Sequence, residues 1–280
     1  MKQTLSLLAL LFVAFTELCA QGNPFFKEGK CTSTRQSRQG AACYDGVLFQ
    51  FHNANGVVEI FDLNRGMKID EIIRPEIDTQ HCNTVAFGHE RWAKGDRFPL
   101  IYLSTERDGR ILVCRITEQN GRFAIDNVQN ILLPTSEAMG LYFPNSIIDG
   151  KGKHLWLSGY SMNSWQKPID GNHLRYIRFA LPDPHAGDVT IDFAKKQHEF
   201  TLPFTYATQG VVFHKRRICQ AYGVPKESIK FRIINSRNGK IISEKDSEEL
   251  GITDEPEGTF VYKNRLAVVT INGDCYYVGR

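Results

Sequence analysis

After its first twenty residues the sequence has no long apolar run, no long Lys/Arg-rich stretch and no closely spaced pair of cysteines. A membrane-spanning helix needs about 20 predominantly apolar residues, so none is expected beyond the N-terminus. A formal net charge of +3 is too small, and too scattered, to argue for nucleic acid as a partner. Without C-x-x-C the chain offers neither a cysteine metal site nor a small disulfide scaffold. G-x-S-x-G, H-E-x-x-H, a Walker loop, an EF-hand loop and G-x-G-x-x-G are all missing, which excludes the enzymes those motifs define. Asn-x-Ser/Thr is missing too, which fits a bacterial better than a eukaryotic secretory origin.

What is present is ordinary globular composition, 42% hydrophobic and 23% charged over 280 residues. The N-terminus differs from the rest. Lys2 is followed by an apolar stretch, Leu5 to Phe15, and then by Leu18-Cys19-Ala20. This is the layout of a secretory signal peptide, residues 1–20, with Gln21 as the mature N-terminus and residues 21–280 as one folded domain. Glu17 and Leu18 stand where a lipobox needs small residues, so export without a lipid anchor on Cys19 is expected. The protein is then secreted or periplasmic. Cys31, Cys43, Cys82, Cys114, Cys219 and Cys275 remain, widely spaced, and read mainly as buried thiols.

A repeat runs through the chain. A carboxamide or carboxylate, a small residue and two mostly apolar ones recur at Gln39-Gly40-Ala41-Ala42, Asn83-Thr84-Val85-Ala86, Asn145-Ser146-Ile147-Ile148, Gln209-Gly210-Val211-Val212 and Glu257-Gly258-Thr259-Phe260. Each is followed by a second segment ending apolar, apolar, polar, at Gln50, Ser104, Ser158, Gln220 and Thr270. Third segments are expected over Val57–Asp62, Ile111–Ile116, Leu174–Phe179, Ile229–Ile234 and Cys275–Val278, and fourth ones over Lys68–Ile73 and Lys240–Glu244. Their β-branched and aromatic content suits half-buried strands. Four short antiparallel strands repeated around an axis predict an all-β fold, a β-propeller of five blades, with six as the alternative if the long third unit hides one. Glu90–Arg97 and Ser161–Gly171 read as loop insertions. The last unit lacks an outer strand. Phe25–Thr34 is expected to supply it, pairing antiparallel with Cys275–Val278 and closing the ring. That pairing places Cys31 near Cys275, with a disulfide between them as one outcome.

The first strand of each blade lines the channel, so Gln39, Asn83, Asn145, Gln209 and Glu257 are expected to form a polar ring at one mouth. His81 lies two residues before Asn83 and shares its face. Glu255 and Glu257 share a face likewise, a spacing suited to acid/base chemistry. The ring offers hard oxygens for Ca²⁺, or donors and acceptors for a small polar ligand, glycan or peptide. It also serves a purely structural purpose if its groups only satisfy backbone at a crowded axis. Arg115, Arg178, Arg232 and Glu59 occupy matching third-strand positions and read as ion pairs. Trp156 reads as core. Trp92 and Trp165 sit in the two insertions, where an aromatic stacks on a sugar or packs the loop down.

Thr208-Gln209-Gly210-Val211-Val212 and Glu255-Pro256-Glu257-Gly258 resemble the strand starts of extracellular propellers, among them the five-bladed glutaminyl cyclotransferases and the propellers of teichoic-acid biosynthesis. Cys19-Ala20-Gln21 looks like the export signals of Bacteroidetes. The resemblance implies a five-bladed extracellular propeller. The ESTG and YG-x-S segments of the cyclotransferases have no match here, and no catalytic residue is carried over. The reading is an exported non-catalytic propeller that recognises a glycan, peptide or protein at the channel mouth. The alternative is a periplasmic propeller enzyme of hydrolase, lyase or acyl-transfer type.

Overall fold

A computed structural model describes residues 23–27, 38–53, 57–73, 81–105, 109–165, 169–224 and 228–279. The expected signal peptide and Cys31 lie outside the described residues.

Five antiparallel sheets are arranged as a five-bladed β-propeller. Blade 1 runs outward from the axis through Arg38–Tyr44, Val47–His52, Val57–Asp62 and Met67–Ile73. Blade 2 uses Val85–Phe87, Ile101–Thr105, Arg110–Gln119 and Arg122–Leu132. Blade 3 uses Tyr142–Ile148, His154–Tyr160, His173–Ala180 and His198–Pro203; blade 4 uses Thr208–His214, Arg217–Tyr222, Lys230–Asn235 and Ile241–Asp246. Blade 5 has three strands of its own, Pro256–Tyr262, Arg265–Thr270 and Cys275–Gly279.

Burial follows distance from the axis. The second strand of blade 1, Val-Leu-Phe-Gln-Phe-His, is buried along its whole length. A strand with sheet on both faces has no solvent side, and its sequence loses the polar/apolar alternation of an exposed sheet. The outermost strand of blade 4, Ile-Ile-Ser-Glu-Lys-Asp, has no buried residue. Innermost strands carry small residues because they converge. A Cβ on Gly210 would lie 2.5 Å from the Thr259 backbone nitrogen, and one on Gly258 2.8 Å from the Ala41 Cβ.

The apolar core is divided among the blade interfaces. Phe49 and Phe51 of blade 1 pack with Ile101, Leu103 and Phe123 of blade 2. Leu155 and Ile177 of blade 3 meet Ile111 and Val113 of blade 2. Trp156 and Tyr176 meet Ile218 and Tyr222 of blade 4. Phe231 and Ile233 meet Val268 and Val278 of blade 5. Phe260 and Val269 meet Leu48 and Phe61 of blade 1. Five interfaces return to the starting blade, which removes the six-bladed alternative.

Closure comes from the N-terminal segment. Phe26 bridges Cys275 antiparallel. The Phe25 N–H donates to the Cys275 carbonyl at 2.8 Å, and the Cys275 N–H donates to the Phe26 carbonyl at 2.9 Å. The residue opposite Cys275 is therefore Phe26, five positions before Cys31. Cys275 is a buried free thiol whose Sγ–H points to the Gly273 carbonyl at 3.8 Å, so of the two outcomes open to it a disulfide is not the one found.

The Glu90–Arg97 insertion is a loop, as expected. The insertion after blade 3's third strand does something the repeat does not indicate. Its short strand Val189–Thr190 adds parallel to Ile131–Leu132 on the outer edge of blade 2. Gln129 Nε2 donates to the Asp183 and Gly187 carbonyls at 2.8 and 2.7 Å and fixes the insertion there. A sheet edge otherwise open to other chains is covered in this way. Among the described residues no helix is long and apolar enough to cross a membrane.

Candidate functional site

The five inner strands begin around one mouth of the channel, and a cavity of about 520 Å³ opens there. Gln39, His81, Asn83, Asn145, Gln209 and Glu257 all line it. The remaining wall includes Glu255, Thr208 and three aromatic side chains, Phe143, Tyr160 and Trp165.

The side chains of the ring divide into two groups. The first group ties blade to blade. Thr84 donates its hydroxyl to Asn145 Oδ1 at 2.6 Å across the blade 2–3 boundary. Gln209 Nε2 donates to the Gly223 carbonyl at 3.2 Å and to Glu255 Oε1 at 2.8 Å across the blade 4–5 boundary. Tyr160 accepts from the Thr208 N–H at 2.7 Å, joining blades 3 and 4.

The second group has chemistry to spare. Gln39 Oε1 and Asn83 Oδ1 are covered by protein yet have no hydrogen-bond partner among the described residues. Each such acceptor costs about 1–3 kcal/mol when left unmet. Glu257 is 2% exposed, and among the described residues no group hydrogen-bonds its carboxyl. Burial pushes its pKa well above the ordinary 4.5, and the neighbouring Glu255 carboxylate pushes it further. Two carboxyls close together away from water do not both ionise. Glu255 accepts from the Gln209 amide, so of the two carboxyls Glu257 is the one pushed toward its protonated form.

Phe143 adds a further local signal. Its φ of 52° places a bulky side chain in the left-handed region, and it lies on the cavity wall. The irregular register between Ser158 and Tyr160 in the facing strand absorbs the distortion. Strained backbone of this kind costs about 1–3 kcal/mol and persists where the surroundings hold it. Phe143 and Tyr160 meet edge to face at 6.2 Å. Trp165 reaches the rim from the Ser161–Gly171 loop and is 37% exposed. Trp92, the other loop tryptophan, instead lies against the core and the His185 ring at 4.4 Å. Trp156 is buried.

Three of the second set of polar marks bond within the fold, whereas Ser158 Oγ and Thr270 Oγ1 have no hydrogen-bond partner among the described residues. Gln50 Nε2 donates to the Gln39 carbonyl at 3.0 Å, Ser104 and Ser146 share a 2.7 Å hydroxyl contact, and Gln220 Oε1 accepts from Tyr176 at 2.5 Å. The four charged third-strand positions are not equivalent. Glu59 faces Gln50 and Arg232 faces Gln220, but the residue facing Ser158 is Tyr176. Arg178 lies one side-chain repeat further from the mouth, opposite Trp156. Glu59 is the centre of a buried cluster, with Arg38 and His52 at 2.8 Å and Lys68 at 3.0 Å. Burial raises its pKa, but the hydrogen bonds from His52, Arg38 and Lys68 outweigh burial and hold the carboxyl well below the usual range. Arg115 pairs with Asp96 at 2.6 Å and Arg232 with Glu244 at 2.5 Å.

Sequence reasoning missed Phe143, Tyr160 and Thr208 as wall residues. Tyr160 had one usable signal, since it stands two residues beyond the Ser158 mark as Tyr222 does beyond Gln220. Among the described residues no group of three or more His, Cys, Asp or Glu is placed to hold a metal ion.

No family model matches the chain, and no curated protein is similar enough to match. Solved structures do share the fold. A glutaminyl cyclase from Myxococcus xanthus is 10% identical over 90% of this chain and 94% of its own, with a TM-score of 0.52. A putative oxidoreductase (glucose dehydrogenase) from Thermus thermophilus is 12% identical over 91% of this chain and 98% of its own, with a TM-score of 0.48. Hydrazine synthase of Kuenenia stuttgartiensis is 14% identical over 84% of this chain, which spans 64% of that one, with a TM-score of 0.42. At these identities the likeness to the cyclase is one of β-propeller architecture.

Proposed function

We propose that the protein is exported and that the channel-mouth cavity binds a small, uncharged polar ligand, a sugar unit of a glycan. The observation that carries this reading is the set of unmet polar groups on one wall. Among the described residues Gln39 Oε1 and Asn83 Oδ1 have no donor, and no group hydrogen-bonds the Glu257 carboxyl, which burial pushes toward its protonated, donating form. A hydroxyl both donates and accepts, so adjacent sugar hydroxyls answer a mixed set of this kind. Phe143 and the rim residue Trp165 offer aromatic surface for the apolar side of a pyranose, with Tyr160 packed against Phe143. A peptide amide or a protein loop has the same donor and acceptor types and is the competing occupant. Ca²⁺ is another, and it prefers six to eight oxygens and would have to displace the Glu257 proton.

Binding is tested by calorimetry with neutral oligosaccharides, short peptides and CaCl₂ on wild type, N83A and W165A. N83A and W165A weaken oligosaccharide binding about tenfold, the loss of one hydrogen bond or one stacking face. Binding that only a peptide or Ca²⁺ produces, or that both variants leave unchanged, overturns the assignment.

One observation favours the enzyme reading. Glu257, whose carboxyl is pushed toward the protonated form, lies beside the Glu255 carboxyl that accepts from Gln209, a pairing suited to acid/base chemistry. E257Q separates the two readings, because glutamine keeps a donor but carries no transferable proton. A binding site keeps its affinity, whereas a hydrolase loses turnover while still binding. Export rests on Lys2, the Leu5–Phe15 stretch and Ala20. Mass spectrometry of the exported protein should find Gln21 first and no lipid.

A further inference from the structure

The inner strands of blades 3 and 4 begin at the channel mouth and end at a second cavity, of about 740 Å³. Its wall is built from the turn after Ile148, the Lys215-Arg216 turn, the ends of the third strands of both blades and the start of blade 3's outer strand. Six cationic side chains line it: Lys151, Arg178, Lys215, Arg216, Arg217 and Arg237. Among the described residues none of the six forms an ion pair. Arg97, Arg115, Arg175 and Arg232, by contrast, each meet a carboxylate.

The single acid on the wall, Asp149, is already committed. Its carboxylate takes His154 Nδ1 at 2.6 Å and the Lys151 and Lys153 N–H groups at 3.1 and 3.0 Å. Arg178 Nε and His198 Nε2 are covered by protein and have no hydrogen-bond partner among the described residues. The Arg178 guanidinium lies 5.7 Å from the Trp156 ring, which holds it in place without neutralising it. The chain's net charge is only +3, so this concentration of cations is local. The field is felt nearby: burial, then Lys215 and Arg217, lower the pKa of His214. Backbone conformation adds to the picture. Lys215 and Arg216 both have positive φ, 48° and 64°, in a two-residue hairpin where blade 1 uses Asp45-Gly46. Asp-Gly suits such a turn, and two long basic side chains do not.

We propose that this cavity binds a ligand carrying two or more phosphate or sulfate groups. Arg178 supplies a planar fork at the wall, and Arg216 and Arg237 close on the ligand from the two turns. Arginine donates in pairs to phosphate and sulfate oxygens, which is why the site calls for a tetrahedral oxyanion. Six cations against one carboxylate, itself taken up by His154 and two backbone N–H groups, call for more than one such group.

Calorimetry on the full chain tests this with two probes, inorganic tripolyphosphate and a heparin-derived tetrasaccharide, at low and at high NaCl. The variants are R178Q and R216Q/R237Q, with K94Q/K195Q as an equal change of charge on exposed residues away from the cavity. At least one probe binds one to one, more weakly at high salt. R178Q and R216Q/R237Q each weaken it tenfold or more, and K94Q/K195Q by less than twofold. Tighter binding of tripolyphosphate identifies phosphate as the source; tighter binding of the tetrasaccharide identifies sulfate esters. Absence of binding by either probe overturns the proposal. So does an equal loss in K94Q/K195Q, or a loss in N83A, which would place the anion at the channel mouth. Arg216 and Arg237 are exposed, so their replacement leaves the core intact whatever happens to R178Q.

Discussion

Two buried glutamates pull the protein's pH dependence in opposite directions. Burial, with Glu255 adding to it, raises the Glu257 pKa, so the folded protein holds a proton that the unfolded chain releases above its ordinary value of 4.5. The stability linked to this proton is fully present below about pH 4.5 and is lost as pH rises toward the folded value. Glu59 has a lowered pKa, so its contribution is present above 4.5 and is lost as pH falls. E257Q should therefore raise the melting temperature at pH 8 by about 2–4 °C, equivalent to about 1 kcal/mol for a chain of this size, and leave it unchanged near pH 4. E59Q should do the opposite at neutral pH. It removes the buried carboxylate that Arg38, His52 and Lys68 share, at a cost of about 3–5 kcal/mol. Differential scanning calorimetry across pH 4–9 reads both. The difference between these residues was only partly legible in the sequence. The strand-start register pointed to Glu257 because the repeat places it there. Glu59 read as an ordinary ion pair, since nothing local shows that Arg38, His52 and Lys68 converge on it from three other places. Lys215-Arg216-Arg217 is visible as a short basic run, but Arg178 and Arg237 join it only through the packing of blades 3 and 4.

At the scale of strands the repeat is informative because each strand answers a local demand. The expected third strands agree with the observed ones to within a few residues at either end, since an alternating or continuous apolar run stops where its burial stops. The strand Val189–Thr190 was not legible. A two-residue parallel pairing carries no period, and its anchor, Gln129, belongs to the preceding blade. Crowding at the axis gives a sharp test of the inner strands. A methyl group on Gly258 would press on the Ala41 Cβ and backbone nitrogen, both at 2.8 Å. The contact is between blades 5 and 1, and neither strand can retreat without opening the channel. G258A should cost about 1–3 kcal/mol, the usual range for overpacking, and lower the urea midpoint without changing the slope. Gly121 occupies an outer hairpin, and a methyl group there would meet nothing within 4 Å. G121A should therefore show only the cost of its positive φ, about 1–2 kcal/mol. If cycles combining G258A with substitutions at position 41 show no coupling, inner-strand crowding is not what the glycine answers.

For the whole molecule the decisive contact joins Phe26 to Cys275, nearly the full length of the chain apart. Blade 5 has only three strands of its own, and its edge strand Cys275–Gly279 receives its outer neighbour from the N-terminus. The missing outer strand of the last repeat unit suggested this arrangement. The register came from the structure, and it put Phe26 rather than Cys31 opposite Cys275. Phe26 is 6% exposed, stands edge to face with Phe61 at 5.5 Å, and sits in the core shared by blades 5 and 1. Phe25 stacks on Tyr277 at 4.1 Å. These rings hold a pairing too short to persist through hydrogen bonds alone. F26A should therefore cost about 3–5 kcal/mol, the usual loss for a buried phenylalanine. It removes the edge-to-face contact, so F26A and F61A together should cost less than the sum of the two singles. Deleting residues 21–27 goes further, since it leaves the Cys275–Gly279 edge without its partner and free to pair with another chain. Light scattering of the deletion variant should rise with protein concentration under conditions in which the full chain stays monodisperse. A deletion variant that keeps both its solubility and its unfolding midpoint would show that the ring does not depend on this closure.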